Sequence, residues 1–431
     1  MKRPLTALAI VLTAIATLTP ACAPKQESDE AILDRIEQAT IKYFTEYAEP
    51  NTGMARERND DVHGNIVTTG GTGFGMMAII AGAERGYYPR EEGEARLEKI
   101  ISSLERLQRF HGAWAHWYDG DSGEAYPFSK YDDGGDLVET AFLTEGILCT
   151  RQWTSDESLK ARCDSLWRGI EWNWYTQATD SLYWHWSKNY GFKMNHRIRG
   201  FDETLITYIL AASSPTYPIT RECYEASYKT SPYYYNGKEY YGIPLTIGMD
   251  YGGPLFFTHY SFLGLDPRDL NDGYTDYFER NRNQCLIHRA YAMDHPEKKL
   301  GEDFWGFTSS DDVLLGYAGH YPGTEEENGT VSPTAAVSSI VYTPEESMAV
   351  IRRLLADPRT FGPYGFYDAV NYTLPEEQQV LKHYLAIDQG PEAVMIENYR
   401  SGLLWHLFGS CPEIEYGLGE LGFRHTNQYI E

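Results

Sequence analysis

GFGMMAIIAGAER, residues 73–85, shows no polar face before its last two residues. A helix that is apolar all round has to be buried on every side. The next stretch, 91–109, differs: Leu97, Ile100, Ile101, Leu104 and Leu107 recur at helical spacing and leave the remaining surface charged. One helix wholly inside followed by one lying on a surface makes a pair, and the pair recurs. Residues 136–153 read as apolar and 156–174 as amphipathic, 202–213 as apolar and 220–230 as more polar. Upstream, 29–48 carries Ile32, Leu33, Ile36, Tyr43, Phe44 and Tyr47 at helical spacing. Downstream candidates are 274–293, 332–342, 344–357, 374–385 and 391–408. Alternating buried and surface helices predict an all-α fold, an (α/α)6 barrel with an inner and an outer ring. No fixed repeat length runs through the chain, which argues against a helical solenoid.

The connections 49–72, 110–135, 175–201, 294–331 and 358–373 are long and rich in Gly, Asp and aromatic residues. Loops of that length in a compact domain usually serve function. Several precede inner helices, so they are expected to gather at one end of the barrel, over the N-terminal ends of the inner ring. Alternating aromatics predict short strands within 111–119 and 181–188. Residues 31–431 are read as one catalytic domain.

The chain has 431 residues, with 62 Asp and Glu against 37 Lys and Arg, for a net charge of −25. That charge repels phosphate backbones and anionic surfaces, so nucleic acid is not an expected partner. Aromatic residues make up 14% of the chain. Such a surplus suits stacking on a neutral, hydroxyl-rich ligand, although packing between helices accounts for most of it. Residues 1–21 read as a lipoprotein-type signal peptide: Lys2 and Arg3 precede an apolar run over 5–18, too short for a membrane span of ~20 residues. Cys22 follows Ala21 and reads as the lipidation site, with 22–30 as a polar tether; ordinary secretion is the alternative. An exported protein follows, a periplasmic or outer-membrane lipoprotein that meets membrane only through its lipid and is expected to be a monomer. Cys149, Cys163, Cys223, Cys285 and Cys411 are odd in number and include no CxxC pair, so neither a disulfide framework nor a zinc knuckle is expected. There is no P-loop, GxSxG or HExxH, and DGDSGE at 119–124 lacks the remaining ligands of a calcium loop. No metal and no cofactor is expected.

The acids concentrate where long loops enter apolar helices. YDDGGDLVET, residues 131–140, brings Asp132, Asp133, Asp136 and Glu139 together. Asp136 with Glu139 three residues on fits a helix cap, and Asp132 and Asp133 fit a turn. Crowded carboxylates also disfavour joint ionisation, which leaves a protonated carboxyl beside an ionised one. That is the pair glycoside hydrolysis requires. GFDET, 200–204, opens another apolar helix, with Asp202 reading as its cap and Glu203 facing the loop end. A third group, Asp388, Glu392 and Glu397, surrounds the start of a later helix; Glu397 and Arg400 are spaced to pair.

Longer motifs narrow the reading. HGAWAHWYDGDSGEAYPFSKYDDGGDLVETAFLTEGIL at 111–148 resembles the signature region of the bacterial β-1,2-glucanases, glycoside hydrolase family 144, many of whose members are called glucoamylase-like. GFDETLITYILAASSPTYPI at 200–219 and FFTHYSFLGLDPR at 256–268 resemble the same family, as do 328–348 and 384–408. The resemblance implies an (α/α)6 fold and an inverting hydrolase of β-1,2-glucan or its oligosaccharides, cutting internally or releasing sophorose. It also implies that Asp132, Asp136, Glu139 and Glu203 occupy catalytic positions. Glu203 is expected to be the general acid, because an apolar helix start raises a carboxyl pKa, and the base to come from Asp132, Asp136 or Glu139, with Asp388 in reserve. Trp117, Trp186 and Trp305 lie in long loops and, with Tyr131 and Glu397, are the expected substrate contacts. Two other classes remain open, a surface glycan-binding lipoprotein without catalysis and a polysaccharide lyase on the same fold. A lyase needs cations to neutralise uronates, which this acidic chain is short of.

Overall fold

Ser28 accepts the N–H of Ala31 and so starts α1, Asp29–Thr45, satisfying one of the free donors of the first turn. The computed structural model describes residues 27–60 and 62–424; the signal peptide, Cys22 and most of the tether lie outside the described residues. The helices that follow are α2, Thr69–Glu84; α3, Arg90–Leu104; α4, Leu137–Trp153; α5, Glu157–Arg168; and α6, Leu205–Ser213. Next come α7, Arg221–Cys223, which continues as a π turn over Tyr224–Tyr228, and α8, Tyr277–Asp294. The last are α9, Pro333–Ser338; α10, Pro344–Leu355; α11, Ala386–Arg400; α12, Leu403–Gly409; and α13, Pro412–Leu421.

The inner ring runs α2, α4, α6, a segment of 3-10 turns at Leu255–Thr258 and Tyr260–Phe262, then α9 and α11, which closes on α2. The outer positions belong to α1, α3, α5, α7, α8 and α10. Burial matches the expected alternation: α2 is buried from Thr69 to Ala83 and α6 throughout, whereas α3 and α5 bury one stripe each. The fourth inner position was not expected as a helix and is not an α-helix.

Three expected helices need correction. Residues 374–385 form a 3-10 turn, Glu376–Gln378, and a short strand, Val380–Leu381, paired with Ala369–Val370. That stretch has no apolar stripe to bury. Residues 391–408 are two helices, because Gly402 turns the chain with a φ of 72° between α11 and α12. α11 begins five residues before Pro391, which leaves the Ile387 carbonyl without a helical partner, since proline has no N–H. The expected helix at 156–174 stops at Arg168 and resumes as a 3-10 turn. Strands do occur within 111–119 and 181–188, as Trp117–Asp119 and His185–Trp186, but two hairpins, Tyr235–Tyr240 with Ile243–Ile247 and Thr308–Asp312 with Gly316–His320, carried no clear alternation.

The tightest joint is between α2 and α4. A Cβ on Gly146 would stand 2.3 Å from the Gly73 carbonyl oxygen, and one on Gly73 would stand 2.3 Å from that of Phe142. The two helices therefore touch backbone to backbone. Each glycine inside a helix costs roughly 1 kcal/mol of propensity, which this packing offsets. Gly146→Ala is expected to force the pair apart at a cost of about 1–3 kcal/mol or more. Thermal denaturation should show a lowered Tm, whereas an unchanged Tm would mean that the helices have room to separate.

Candidate active site

A pair of backbone hydrogen bonds fixes the entry to α4. The Asp136 N–H donates to the Trp114 carbonyl and the Leu137 N–H to the Trp184 carbonyl, both at 2.8 Å, while Gly135–Asp136 pairs with His185–Trp186. Asp136 then caps the helix, one oxygen accepting the N–H groups of Val138 and Glu139 at 3.0 and 2.9 Å. Its other oxygen meets His116 Nδ1 at 3.1 Å, Trp184 Nε1 at 3.3 Å and His185 Nε2 at 3.5 Å. Asp132 lies 3.3 Å from the same His116 nitrogen and 3.5 Å from His185. Glu139, one turn into α4, accepts the Gly70 N–H of α2 at 2.7 Å and stands 3.7 Å from His116 Nε2. His116 thus holds three carboxylates around one ring, whose face stacks on Phe128 at 4.2 Å.

Across the ring of helices, Glu203 sits at the entry to α6. The Asp202 carboxylate accepts the Thr204 N–H at 2.9 Å, and Ser261 Oγ donates to the Glu203 carbonyl; Asp202 is not the expected cap, because the helix starts only at Leu205 with Thr204 at the N-cap position. Glu139 and Glu203 line one cavity of about 480 Å³, together with Trp117, Phe128, Trp184, Phe256, Tyr260 and Tyr317. Arg58 also lines it but is spent on Glu57 and Asp311, at 2.6 and 2.7 Å.

Burial and neighbouring charge divide the acids into two kinds. Burial would raise Asp136, but hydrogen bonds from His116 and His185 overcome it and hold the carboxylate well below the usual range. Burial pushes Glu139 up to about 7; the His116 charge opposes this and the Asp136 charge adds to it. Glu203 is raised well above the usual carboxyl value by burial and then by Asp202. Burial would lower His116, yet Glu139 and the hydrogen bonds to Asp132 and Asp136 raise it well above the ordinary imidazole value. A Glu203 that keeps its proton, in one cavity with a Glu139 that can release its own near pH 7, is the division of roles acid–base catalysis needs.

Asp388 lies in the first turn of α11, buried against Asp368, and both are raised by burial, Asp368 to about 7. Neither lines the cavity, which α11 meets through Ile387. His116 Nδ1 and one oxygen each from Asp132 and Asp136 lie within 4.8 Å of one another, the one such group among the described residues with the spacing to hold a cation. His116, raised above the ordinary imidazole value, already stands beside both carboxylates.

Two expected substrate contacts are corrected. Trp305 is 0% exposed and belongs to the core under α9 and α10, because Gly306 packs against Ala336 and turns the segment inward. Glu397 sits in the last turns of α11, away from the cavity, paired with Arg85 at 2.5 Å; Arg400 pairs instead with Glu30, Asp34 and Glu37 of α1. Trp186 and Tyr131 are half-buried outside the cavity, Trp186 edge-on to His111 and Trp174 and Tyr131 edge-on to Tyr190. Trp117 alone of the three tryptophans lines it. From the sequence, His116 and His185 read as making ordinary hydrogen bonds in aromatic loops, and Trp184, Phe256 and Tyr317 are not singled out. The two histidines lie within the expected strand segments that meet at Asp136, and that adjacency is the signal that marks them.

Glu139→Gln and Glu203→Gln are each expected to lower kcat by about 10²–10⁴-fold, with circular dichroism unchanged. Asp136→Asn keeps the cap, since asparagine also caps, but removes the charge that the imidazoles pair with, and kcat should fall. His116→Gln removes the cation that holds Glu139 down, so the acid limb of the pH–rate profile should move to higher pH. Protonated Glu139 favours the folded state in full below about 4.5, and that contribution is lost as pH rises through about 7. A Glu139→Gln variant should therefore lose less stability than wild type between those two values.

The comparisons with known proteins run along most of the chain. Residues 195–412 match the family described as "Putative glucoamylase", and residues 35–133 match one described as "Protein of unknown function (DUF3131)". The chain is 42% identical over 423 residues to an exo β-1,2-glucooligosaccharide sophorohydrolase (non-reducing end) of Parabacteroides distasonis, covering 91% of this chain and 58% of that protein. It therefore spans less than two thirds of the length of that curated relative. The endo-β-1,2-glucanase from Chitinophaga pinensis, solved with sophorotriose and glucose, is 47% identical with a TM-score of 0.90, over 93% of this chain and 100% of that one. A β-1,2-glucanase from Parabacteroides distasonis is 40% identical with a TM-score of 0.88, over 92% of this chain and 60% of that one. An endo-β-1,2-glucanase from Talaromyces funiculosus shares only the fold, at 12% identity and a TM-score of 0.66, over 88% of this chain and 85% of that one. With the double ring of helices in place and a solved relative matched over its full length, the chain belongs to the bacterial β-1,2-glucanases, glycoside hydrolase family 144.

Proposed function

We propose that this chain hydrolyses β-1,2-linked glucan or its oligosaccharides with inversion at the anomeric carbon. The observation that carries the reading is that Glu139 and Glu203 enter one aromatic-lined cavity from different inner helices. Glu203, held protonated by burial, gives its proton to the oxygen of the leaving sugar. Glu139, fixed by the Gly70 N–H, takes a proton from the water that attacks the opposite face of the anomeric carbon. Inverting enzymes set such a pair ~6.5–9.5 Å apart to leave room for that water. His116, held by Asp132 and Asp136, stands 3.7 Å from the base and balances its charge. The relatives named as β-1,2-glucan and β-1,2-glucooligosaccharide hydrolases support the choice of linkage. A proton donor and a proton acceptor facing one cavity have no use in a glycan-binding protein. A lyase would need free cations at the reacting centre, and Arg58 is already paired.

Incubating the purified chain with linear β-1,2-glucan tests this. New reducing ends, with the first product formed as the α anomer by proton NMR, are expected, and the product lengths separate internal cutting from sophorose release. Absorbance at 235 nm, or no product at all, would sink the reading. Trp117→Ala should raise KM several-fold with little change in Tm, because loss of one aromatic stacking face costs roughly 0.5–1.5 kcal/mol.

The chain is further proposed to be exported and lipidated at Cys22, supported by Lys2 and Arg3, the apolar run over 5–18 and Ala21 before the cysteine. Cys22→Ser should move the protein from the membrane to the soluble fraction with unchanged specific activity. A mature N-terminus beyond residue 22 in wild type would replace lipidation with simple secretion.

A further inference from the structure

Between Asp180 and Asp202 the chain carries no Asp or Glu, although 62 of its 431 residues are acidic; the same interval holds Lys188, Lys193, Arg197 and Arg199. Most other arginines have a carboxylate partner, as Arg58, Arg85, Arg151, Arg162 and Arg400 do. Among the described residues neither Arg197 nor Arg199 has one; Arg197 lies over the Tyr183 ring at 5.1 Å. Two uncompensated guanidinium groups in so acidic a chain call for an anion from outside.

Their backbone is built in. Tyr183 pairs with Arg197, the Trp184 N–H donates to the His196 carbonyl at 2.9 Å, and the Ile198 N–H to that of Leu182 at 2.9 Å. This is the chain that runs on into His185–Trp186 and pairs with Asp136. The arginines are therefore held one strand away from the carboxylate cluster. Ile198 between them is buried, so both arginine side chains leave from the other side.

They line a cavity of about 570 Å³ with Tyr233 and Phe257. A cleft of about 420 Å³ joins it to the catalytic cavity: Trp184, Glu203 and Phe256 border the cleft on one side, and His196, Asp202 and Phe257 on the other. The three spaces form one trough, with the general acid near its middle. Asp202, the one acid lining the arginine cavity, is committed to the Thr204 N–H, and burial raises it to about 6, which weakens its opposition to an anion.

We infer that Arg197 and Arg199 form a distal subsite for a negatively charged substituent, a phosphate ester or a carboxylate half-ester, carried by the glucan several sugars from the cleaved bond. The inference rests on the proposed glucan hydrolysis. A neutral glucan offers only hydroxyls, for which Tyr, Asn or Gln suffices; the guanidinium fork matches the paired oxygens of phosphate and carboxylate. The overall charge of −25 repels such a group, so a local pair of cations is what admits it to the trough.

The test compares three substrates for the full chain: plain linear β-1,2-glucan, the same glucan lightly O-succinylated, and the same glucan lightly O-phosphorylated. At low salt the charged chains should show a KM about three- to tenfold below that of plain glucan, a gap that closes as NaCl rises. Arg197→Ala/Arg199→Ala should abolish the gap while kcat on plain glucan stays at the wild-type value; Arg197→Lys/Arg199→Lys, which retains the charge but not the fork, should restore part of it. A preference for only one of the two charged glucans identifies the substituent. Equal or poorer use of both charged chains by wild type, or a gap that survives in the double alanine variant, would overturn the subsite. Failure to cleave plain glucan is a separate result and would overturn the hydrolase reading instead.

Discussion

The contact of α2 with α4 through Gly73 and Gly146 is the joint on which the catalytic geometry depends. With no side chain between them, the two helices lie at backbone distance, and the first turn of α2 comes against Glu139. The Gly70 N–H then reaches the Glu139 carboxylate at 2.7 Å, and a Cβ on Gly70 would lie 2.6 Å from that same oxygen. Glu139 is thus set by the closeness of two inner helices more than by its own rotamer. The rest of the barrel keeps this joint closed: α11 packs along the other side of α2, with Gly390 against Phe74, and α1 closes the groove outside them.

The direction of the inner ring has an electrostatic result. α2, α4, α6 and α11 all present their N-terminal ends to the cavity end of the barrel, and a helix N-terminus carries about half a positive charge. Carboxylates gathered there have compensation before any side-chain cation is counted. His116 adds more, chiefly to Asp136 and Asp132 and less to Glu139. Glu139 and Glu203, facing the cavity, receive less and retain their protons to higher pH. One fold therefore gives carboxyls a few residues apart different proton affinities, and the difference is which of them the imidazoles hydrogen-bond.

The parts of the structure legible in the sequence are those encoded by local pattern. The buried α2, α4 and α6 are predominantly apolar, and their surface partners carry stripes, so the double ring follows from periodicity. Asp136, Glu139 and Glu203 were legible because helix-entry chemistry marks them whatever their function. The composition of a loop does not say which way it folds: Trp117 and Trp305 have similar surroundings in sequence, yet one borders the cavity and the other is core. The 3-10 segment at Leu255–Thr258 and Tyr260–Phe262 has no full helical period, and the ring alone gives it the fourth inner place. Glu397 and Arg400 were spaced as partners, but α1 and α2 supply stronger ones from far along the chain. Long-range pairings of this kind leave no local trace.

The hairpin of Thr308–Asp312 and Gly316–His320 bears on how such a barrel changes its diet. It contributes Tyr317, Ser309 and Gly319 to the trough wall, with Tyr321 just after it, but supplies none of the carboxyls that line the catalytic cavity. It is moored beside its turn by Asp311, which pairs with Arg58 and His383, and by Asp312, which accepts from Asn328 and Thr330. Its tip, Leu314 and Leu315, projects into solvent. The side chains that it turns toward the trough, Tyr317 among them, can change without disturbing the helices, and the trough is then reshaped while the carboxyls that line it stay where they are.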